Sequence, residues 1–239
     1  MRNLLTASTN QLIPLICKSN FFEFHFTLFK PYMPLLYQQD INESTRLGVW
    51  EIKEDEDFFK AEVGIQSTIR HPHKRLQHLA GRYLLKVLYP AFPLNIILVA
   101  DTRKPFLEGD PYHFSISHCG HYAAAIVSTT FRVGTDIEIP QLKIEKIQHK
   151  FLKESEQKLL ADLPVDLLQS LTLCWSIKEA VFKWFGEGQV DFRTHMHIDS
   201  ISFTDNTYHA VCHFTRNEII LLNVHGIFLH GNSLVWVVS

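Results

Sequence analysis

The sequence predicts an α+β fold, and three observations carry that expectation. Residues 74–89 place apolar side chains at helical spacing, residues 132–139 alternate as a strand does, and from His195 onward the pattern is β. At 239 residues the chain is long enough to bury a sizeable core, as one large domain or two small ones. Hydrophobic residues make up 46% and charged residues 20%, the proportions of an ordinary globular protein. The net charge of −2 gives no overall pull toward nucleic acid or an anionic membrane, so any anion has to be bound locally. No apolar run approaches the roughly 20 residues of a membrane span, and no membrane partner is expected. Cys17, Cys119, Cys174 and Cys212 are far apart and form no CxxC pair, which suits a reducing, cytoplasmic compartment. The pairs His71/His73 and His195/His197 read as solvent-facing imidazoles rather than as metal ligands.

Taken in order, residues 1–32 read as a poorly packed leader, and translation is expected to begin at Met33. Residues 47–52 form a first strand, followed by an acidic helix start at 54–59. His71-Pro72-His73 reads as a turn. In the helix of 74–89, Leu76, Leu79, Ala80, Tyr83, Leu84, Val87 and Leu88 make one apolar stripe, expected in the core. Arg75, His78, Arg82 and Lys86 make a basic stripe on another face. That stripe is either a solvated helix surface or a grip for phosphate, since guanidinium groups hold phosphate through charge-assisted, bidentate bonds. Residues 94–100 are expected to be a buried strand, and 102–106 a turn. Ser115 and Ser117 flank Ile116 on a short strand that stops at Gly120, and residues 122–128 make the next. Helices are expected over 144–151, then up to about Pro164, then through 175–183 with a stop at Gly186-Glu187-Gly188. Strands at 197–203, 208–214, 218–224 and 234–238 complete the chain, with turns at Asp205-Asn206 and Gly231-Asn232.

Two of these segments carry chemistry. On the strand of 132–139, Val133, Thr135, Ile137 and Ile139 take one face, and Gly134, Asp136 and Glu138 the other. Two carboxylates side by side repel each other unless solvent or a cation separates them. Glu179 offers a third oxygen ligand, and an all-oxygen, carboxylate-rich site suits Mg²⁺. On the helix of 175–183, Trp175, Glu179 and Lys183 share a face. The plain alternative for Glu179 and Lys183 is a surface ion pair contributing a few tenths of a kcal/mol.

The combination Gly134-x-Asp136-x-Glu138, a gap of about forty residues, then Trp175-Ser176-x-Lys178-Glu179-Ala180-x-x-Lys183 resembles the signature of the 4′-phosphopantetheinyl transferase superfamily. Residues 74–82 resemble a stretch of its enterobactin-synthetase branch. The resemblance implies two similar α/β subdomains, 33–131 and 132–239, related by a pseudo-twofold axis, with the active site in the cleft between them. It implies transfer of 4′-phosphopantetheine from coenzyme A to a serine of an apo acyl or peptidyl carrier protein, Mg²⁺-dependent, with release of 3′,5′-ADP and a monomeric enzyme. Asp136, Glu138 and Glu179 would hold the metal, with Glu179 and Lys183 catalytic. Arg75, Arg82, Lys104, Ser117, His118 and Lys183 would bind coenzyme A, with either Arg75 or Arg82 on a phosphate. Glu156, Glu154 or a metal-bound water would be the general base; a charged helix N-terminus is the plain reading of Glu156. The chain departs from the family at Arg103, which stands where its loop is usually written Gly-Lys-Pro; if that position needs φ > 0, arginine is strained there. A binding module without turnover, or a metal-dependent phosphoanhydride hydrolase, are the competing classes.

Overall fold

The structure, a computed structural model, describes residues 34–65 and 67–239; the expected leader lies outside the described residues. The fold is α+β. Leu35–Asn42 (β1) and Thr45–Glu51 (β2) form a hairpin, then Glu56–Val63 (α1) and Pro72–Leu88 (α2) follow. The two-residue strands Leu98–Val99 (β3) and Pro105–Phe106 (β4) pair as a small hairpin of their own. His113–Cys119 (β5) and Tyr122–Ser128 (β6) complete a four-stranded antiparallel sheet in the order β1-β2-β6-β5. Val133–Glu138 (β7) begins the second sheet. Lys143–Phe151 (α3), Glu154–Leu160 (α4) and Leu167–Phe185 (α5) come next, and then Met196–Thr204 (β8), Thr207–Thr215 (β9), Ile219–Leu229 (β10) and Asn232–Val238 (β11). The second sheet is five-stranded and antiparallel, ordered β7-β11-β10-β9-β8.

Each sheet carries one long helix on one face, α2 against β2 and β6, α5 against β7 and β11. Three apolar clusters follow. One joins α1 and α2 to the first sheet through Phe59, Leu84 and Leu88; a second joins α3, α4 and α5 to the last sheet through Phe151, Ile177 and Phe214. The third lies between the sheets, with Leu47, Val49 and Ile126 facing Val133, Ile137 and Trp236.

Local chemistry explains the helix ends. His71 caps α2 and Pro72 is its first residue, so the expected turn at 71–73 is the helix start: proline has no N–H to lose at that position. Asp166 caps α5 by accepting from the Gln169 N–H at 2.8 Å, so that helix begins well before Trp175. Gly186, at φ 77°, ends it in the left-handed conformation. The expected buried strand at 94–100 is corrected to a single 3-10 turn, Leu94–Ile96, and the short β3, with Ile96, Leu98 and Val99 exposed. A short apolar run fixes neither strand nor burial. The turn between β10 and β11 is His230-Gly231, both at positive φ, one residue earlier than expected. No helix among the described residues is long and apolar enough to cross a membrane.

Candidate functional site

The two sheets meet where β5 runs beside β7, and side chains make the junction. Ser115 Oγ accepts from the Thr135 N–H at 3.1 Å, and Ser117 Oγ donates to Asp136 Oδ1 at 2.7 Å. Helix α5 closes on β7 from above at Gly134. A Cβ there would collide with the Ala180 carbonyl and the Trp184 backbone, so only glycine lets the strand lie flush on the helix. That close approach delivers Lys183, whose Nζ lies 2.6 Å from Asp136 Oδ1 and 2.9 Å from Ser117 Oγ. Lys183 therefore pairs across elements with Asp136 instead of making the surface pair with Glu179. Asp136 is 2% exposed, and its second oxygen, Oδ2, is buried without a partner. An uncompensated buried carboxylate oxygen calls for a cation or a donor.

Glu138 and Glu179 complete the group. Cys119 Sγ donates to Glu138 at 3.2 Å. Burial and then Asp136 push the Glu138 carboxyl above its ordinary value. Glu179 is pushed up to about 7, first by burial; Asp136 and Glu138 add to the rise and Lys183 opposes it. Three carboxylates thus feel one another in a poorly solvated site. Among the described residues no group of three or more His, Cys, Asp or Glu side chains stands in a metal-holding arrangement; the Lys183 ammonium takes the Asp136 oxygen instead.

Beside this group lies a cavity of about 290 Å³ lined by His78 and Arg82 of α2, Arg103 of the β3–β4 loop, and His118 of β5. Arg82 is 7% exposed, and its guanidinium makes no hydrogen bond or ion pair with any described residue. Burial holds Arg82 at about 10, below its ordinary value, and burial followed by Arg82 and His118 holds His78 at about 4. A buried, unpartnered guanidinium beside two imidazoles is a site for an anion. A second cavity, about 180 Å³, is lined by Arg103, Lys104, Ser115 and Lys183. Lys104 Nζ lies 3.4 Å from the Trp184 carbonyl and its chain runs flush over Gly186, where a Cβ would collide with it.

The structure thus brings together Asp136, Glu138, Glu179, Lys183 and Ser117, with Arg82, Lys104 and His118 lining the adjoining cavities. It does not bring Arg75 there: Nε pairs with Glu56 at 2.8 Å, and Nη1 donates to the Ile69 and Arg70 carbonyls. The basic stripe is divided, since Lys86 donates to the Glu62 carbonyl while His78 and Arg82 face the cavity. Nor does it bring Glu156. That carboxylate is 0% exposed, gripped at both oxygens by Lys178 (2.7 and 2.9 Å) and by the N–H groups of Lys153 and Ile198. No lone pair is left to face a substrate. Lys178, part of the sequence signature but given no role there, is 1% exposed and also donates to the Phe151, Phe192 and Met196 carbonyls. His197 is not solvent-facing either; it packs on His213 and lies 3.7 Å from Glu156. His78 and Arg103 are the cavity residues that sequence reasoning did not assign, although His78 stood in the basic stripe and Arg103 at an unusual loop position.

Comparison with known proteins decides the family. A model described as the 4′-phosphopantetheinyl transferase superfamily matches residues 132–227, which span β7, α5 and most of the second sheet. Enterobactin synthase component D of Salmonella typhi is 30% identical over 174 residues, 70% of this chain and 72% of that protein. The chain belongs to the 4′-phosphopantetheinyl transferase superfamily. Two other members are similar over shorter stretches. Enterobactin synthase component D of Escherichia coli is 32% identical over 113 residues, 46% of this chain and 54% of that protein. The 4′-phosphopantetheinyl transferase AcpT of Salmonella typhimurium is 31% identical over 117 residues, 47% of this chain and 60% of that protein. For this superfamily member, the family match covers the carboxylate strand and the lysine helix, the two elements that Gly134 holds flush.

Proposed function

We propose that the protein transfers the 4′-phosphopantetheine group of coenzyme A to a serine hydroxyl of an apo acyl or peptidyl carrier protein, releasing 3′,5′-ADP. The observation that carries this reading is the Ser117–Asp136–Lys183 cluster, next to Glu138 and Glu179, opening on cavities lined by basic side chains, of which Arg82 and Arg103 have no hydrogen-bond or ion-pair partner among the described residues. Those cavities suit the phosphates of coenzyme A, with Arg82 and His118 on one side and Lys104 and Lys183 on the other. The serine oxygen forms a bond to the phosphorus bearing pantetheine while the bond from that phosphorus to the departing nucleotide breaks. Lys183 stabilises the charge that develops on the leaving phosphate. The serine proton goes to a group other than Glu156, whose oxygens are both occupied.

Asp136, Glu138 and Glu179 fit Mg²⁺ by their chemistry: all-oxygen donors, mutual repulsion, and one buried oxygen with no partner. When bound, the ion would neutralise phosphate charge beside these carboxylates. We further propose that residues 33–131 and 132–239 are pseudo-twofold halves, supported by the recurrence of one antiparallel sheet with one long helix in each. The test is to mix the protein with coenzyme A, Mg²⁺ and a panel of apo carriers and weigh each carrier. One carrier should gain the mass of phosphopantetheine. Glu179→Gln and Asp136→Asn should each lose several kcal/mol of transition-state stabilisation, at least about a thousandfold in rate, with unchanged circular dichroism. Near-normal turnover in Glu179→Gln would end the metal assignment.

A further inference from the structure

The loop between β3 and β4 turns through residues 100–104, closed by the Arg103 N–H on the Ala100 carbonyl at 2.8 Å and the Ala100 N–H on the Lys104 carbonyl at 3.0 Å. Arg103 stands in that turn at φ 67°, the left-handed region that favours glycine. The chain therefore holds a β-carbon-bearing residue where glycine would be more stable, and something other than the turn has to justify it. Its guanidinium lines the cavity of His78, Arg82 and His118, and it makes no hydrogen bond or ion pair with any described residue. Val99, Pro105 and Ile116 form the rest of that wall, so the cavity holds four basic side chains and no carboxylate. Arg103 also lines the neighbouring cavity, at the wall the two share, whereas Lys183 lines only the neighbouring one.

We propose that Arg103 is a specificity-determining residue that grips the terminal phosphomonoester of the nucleotide substrate. This rests on the coenzyme A reading above. A phosphomonoester concentrates nearly two negative charges on one phosphorus, which matches a pocket of two guanidiniums and two imidazoles. A diphosphate has to reach Lys183 and the carboxylates, and those do not line this cavity. Arg82, buried and unpartnered, is the fixed half of the grip; Arg103, exposed on its loop, lines the same cavity and is the other half.

The experiment is titration calorimetry of the full chain, without carrier or added metal, using coenzyme A and dephospho-coenzyme A as ligands. Arg103→Gly should bind coenzyme A roughly tenfold more weakly while its affinity for dephospho-coenzyme A changes less than about twofold. Its thermal midpoint should equal or exceed that of the wild type, since the turn is relieved. Arg103→Lys should recover part of the coenzyme A affinity, keeping the charge without the fork. Unchanged coenzyme A affinity in Arg103→Gly would overturn the proposal, and so would an equal loss for both ligands. Wild-type protein that binds neither ligand would overturn the coenzyme A reading itself, an outcome distinct from a wild type that prefers coenzyme A and a variant that still does.

Discussion

Lys178 and Lys183 stand on the same helix, and each puts its ammonium on a buried carboxylate, yet the two pairs are finished to different degrees. Around Lys178 every hydrogen-bonding valence is used: three carbonyls and both Glu156 oxygens surround the ammonium, and two backbone N–H groups hold the carboxylate. The node ties the end of α3, the start of α4, the 186–195 loop and β8 to α5. Around Lys183 the account is open. The lysine is 25% exposed, Asp136 keeps an unpartnered oxygen, and Glu138 and Glu179 lie close by with raised pKa values. A saturated polar node fixes architecture, whereas an unsaturated one is poised to take a ligand.

The largest effect expected from this contrast is on stability at the sealed node. Lys178→Met leaves the Glu156 charge buried without its counter-ion, and should cost about 3–5 kcal/mol in urea denaturation. The double variant Lys178→Met/Glu156→Leu should recover part of that, because no lone charge remains, but not all, because the Lys153 and Ile198 N–H groups lose their acceptor. A loss below about 1 kcal/mol in Lys178→Met would show that the node is not what holds α5 in place.

At the open node the same substitution should read differently. Lys183→Met removes an ammonium that is partly solvated, so stability should fall by only about 1–2 kcal/mol. Binding of Mn²⁺ to the substrate-free protein, followed by electron paramagnetic resonance, should tighten severalfold, because Lys183 no longer competes for Asp136 Oδ1. Unchanged or weaker Mn²⁺ binding would mean that the lysine and the cation do not share that oxygen.

The contrast also explains what the sequence made legible. Asp136 and Glu138 alternate on a strand beside a glycine, and Glu179 and Lys183 share a helix face, so spacing puts each pair on one face, while the family resemblance is what joins the two pairs in one site. Gly134 mattered for a reason spacing does not reveal, the flush contact of β7 on α5. The sequence offers Glu156 as a general base or a helix N-terminus and leaves Lys178 without a role, because burial of a charge is decided by partners from other elements, none adjacent in sequence. Arg75 and Arg82 read alike in the basic stripe; only the neighbouring α1, with Glu56, makes one an ion pair and leaves the other unpartnered. The polar strand β1 has no alternating apolar face by which the sequence could signal it, and Ile96, Leu98 and Val99, apolar enough to predict core, lie exposed.

The smallest effect is a pH dependence that separates the cation-lined cavity from the rest. His78 is held at about 4 by burial, then by Arg82 and His118, against 6.5 for an unperturbed imidazole. Above pH 6.5 the ring is neutral in both the folded and unfolded chain and contributes no slope. As pH falls through 6.5 the unfolded chain takes up a proton that the folded chain refuses, so stability declines until about pH 4, where the folded ring also protonates. The full shift is worth at most about 3 kcal/mol, and the ring's partial exposure reduces this to about 1–2. Urea midpoints at about pH 7 and pH 5 should therefore fall less in His78→Gln than in the wild type, by about 1 kcal/mol. Equal slopes would mean that the cavity does not hold its imidazole neutral, and that Arg82 is better solvated than its burial indicates.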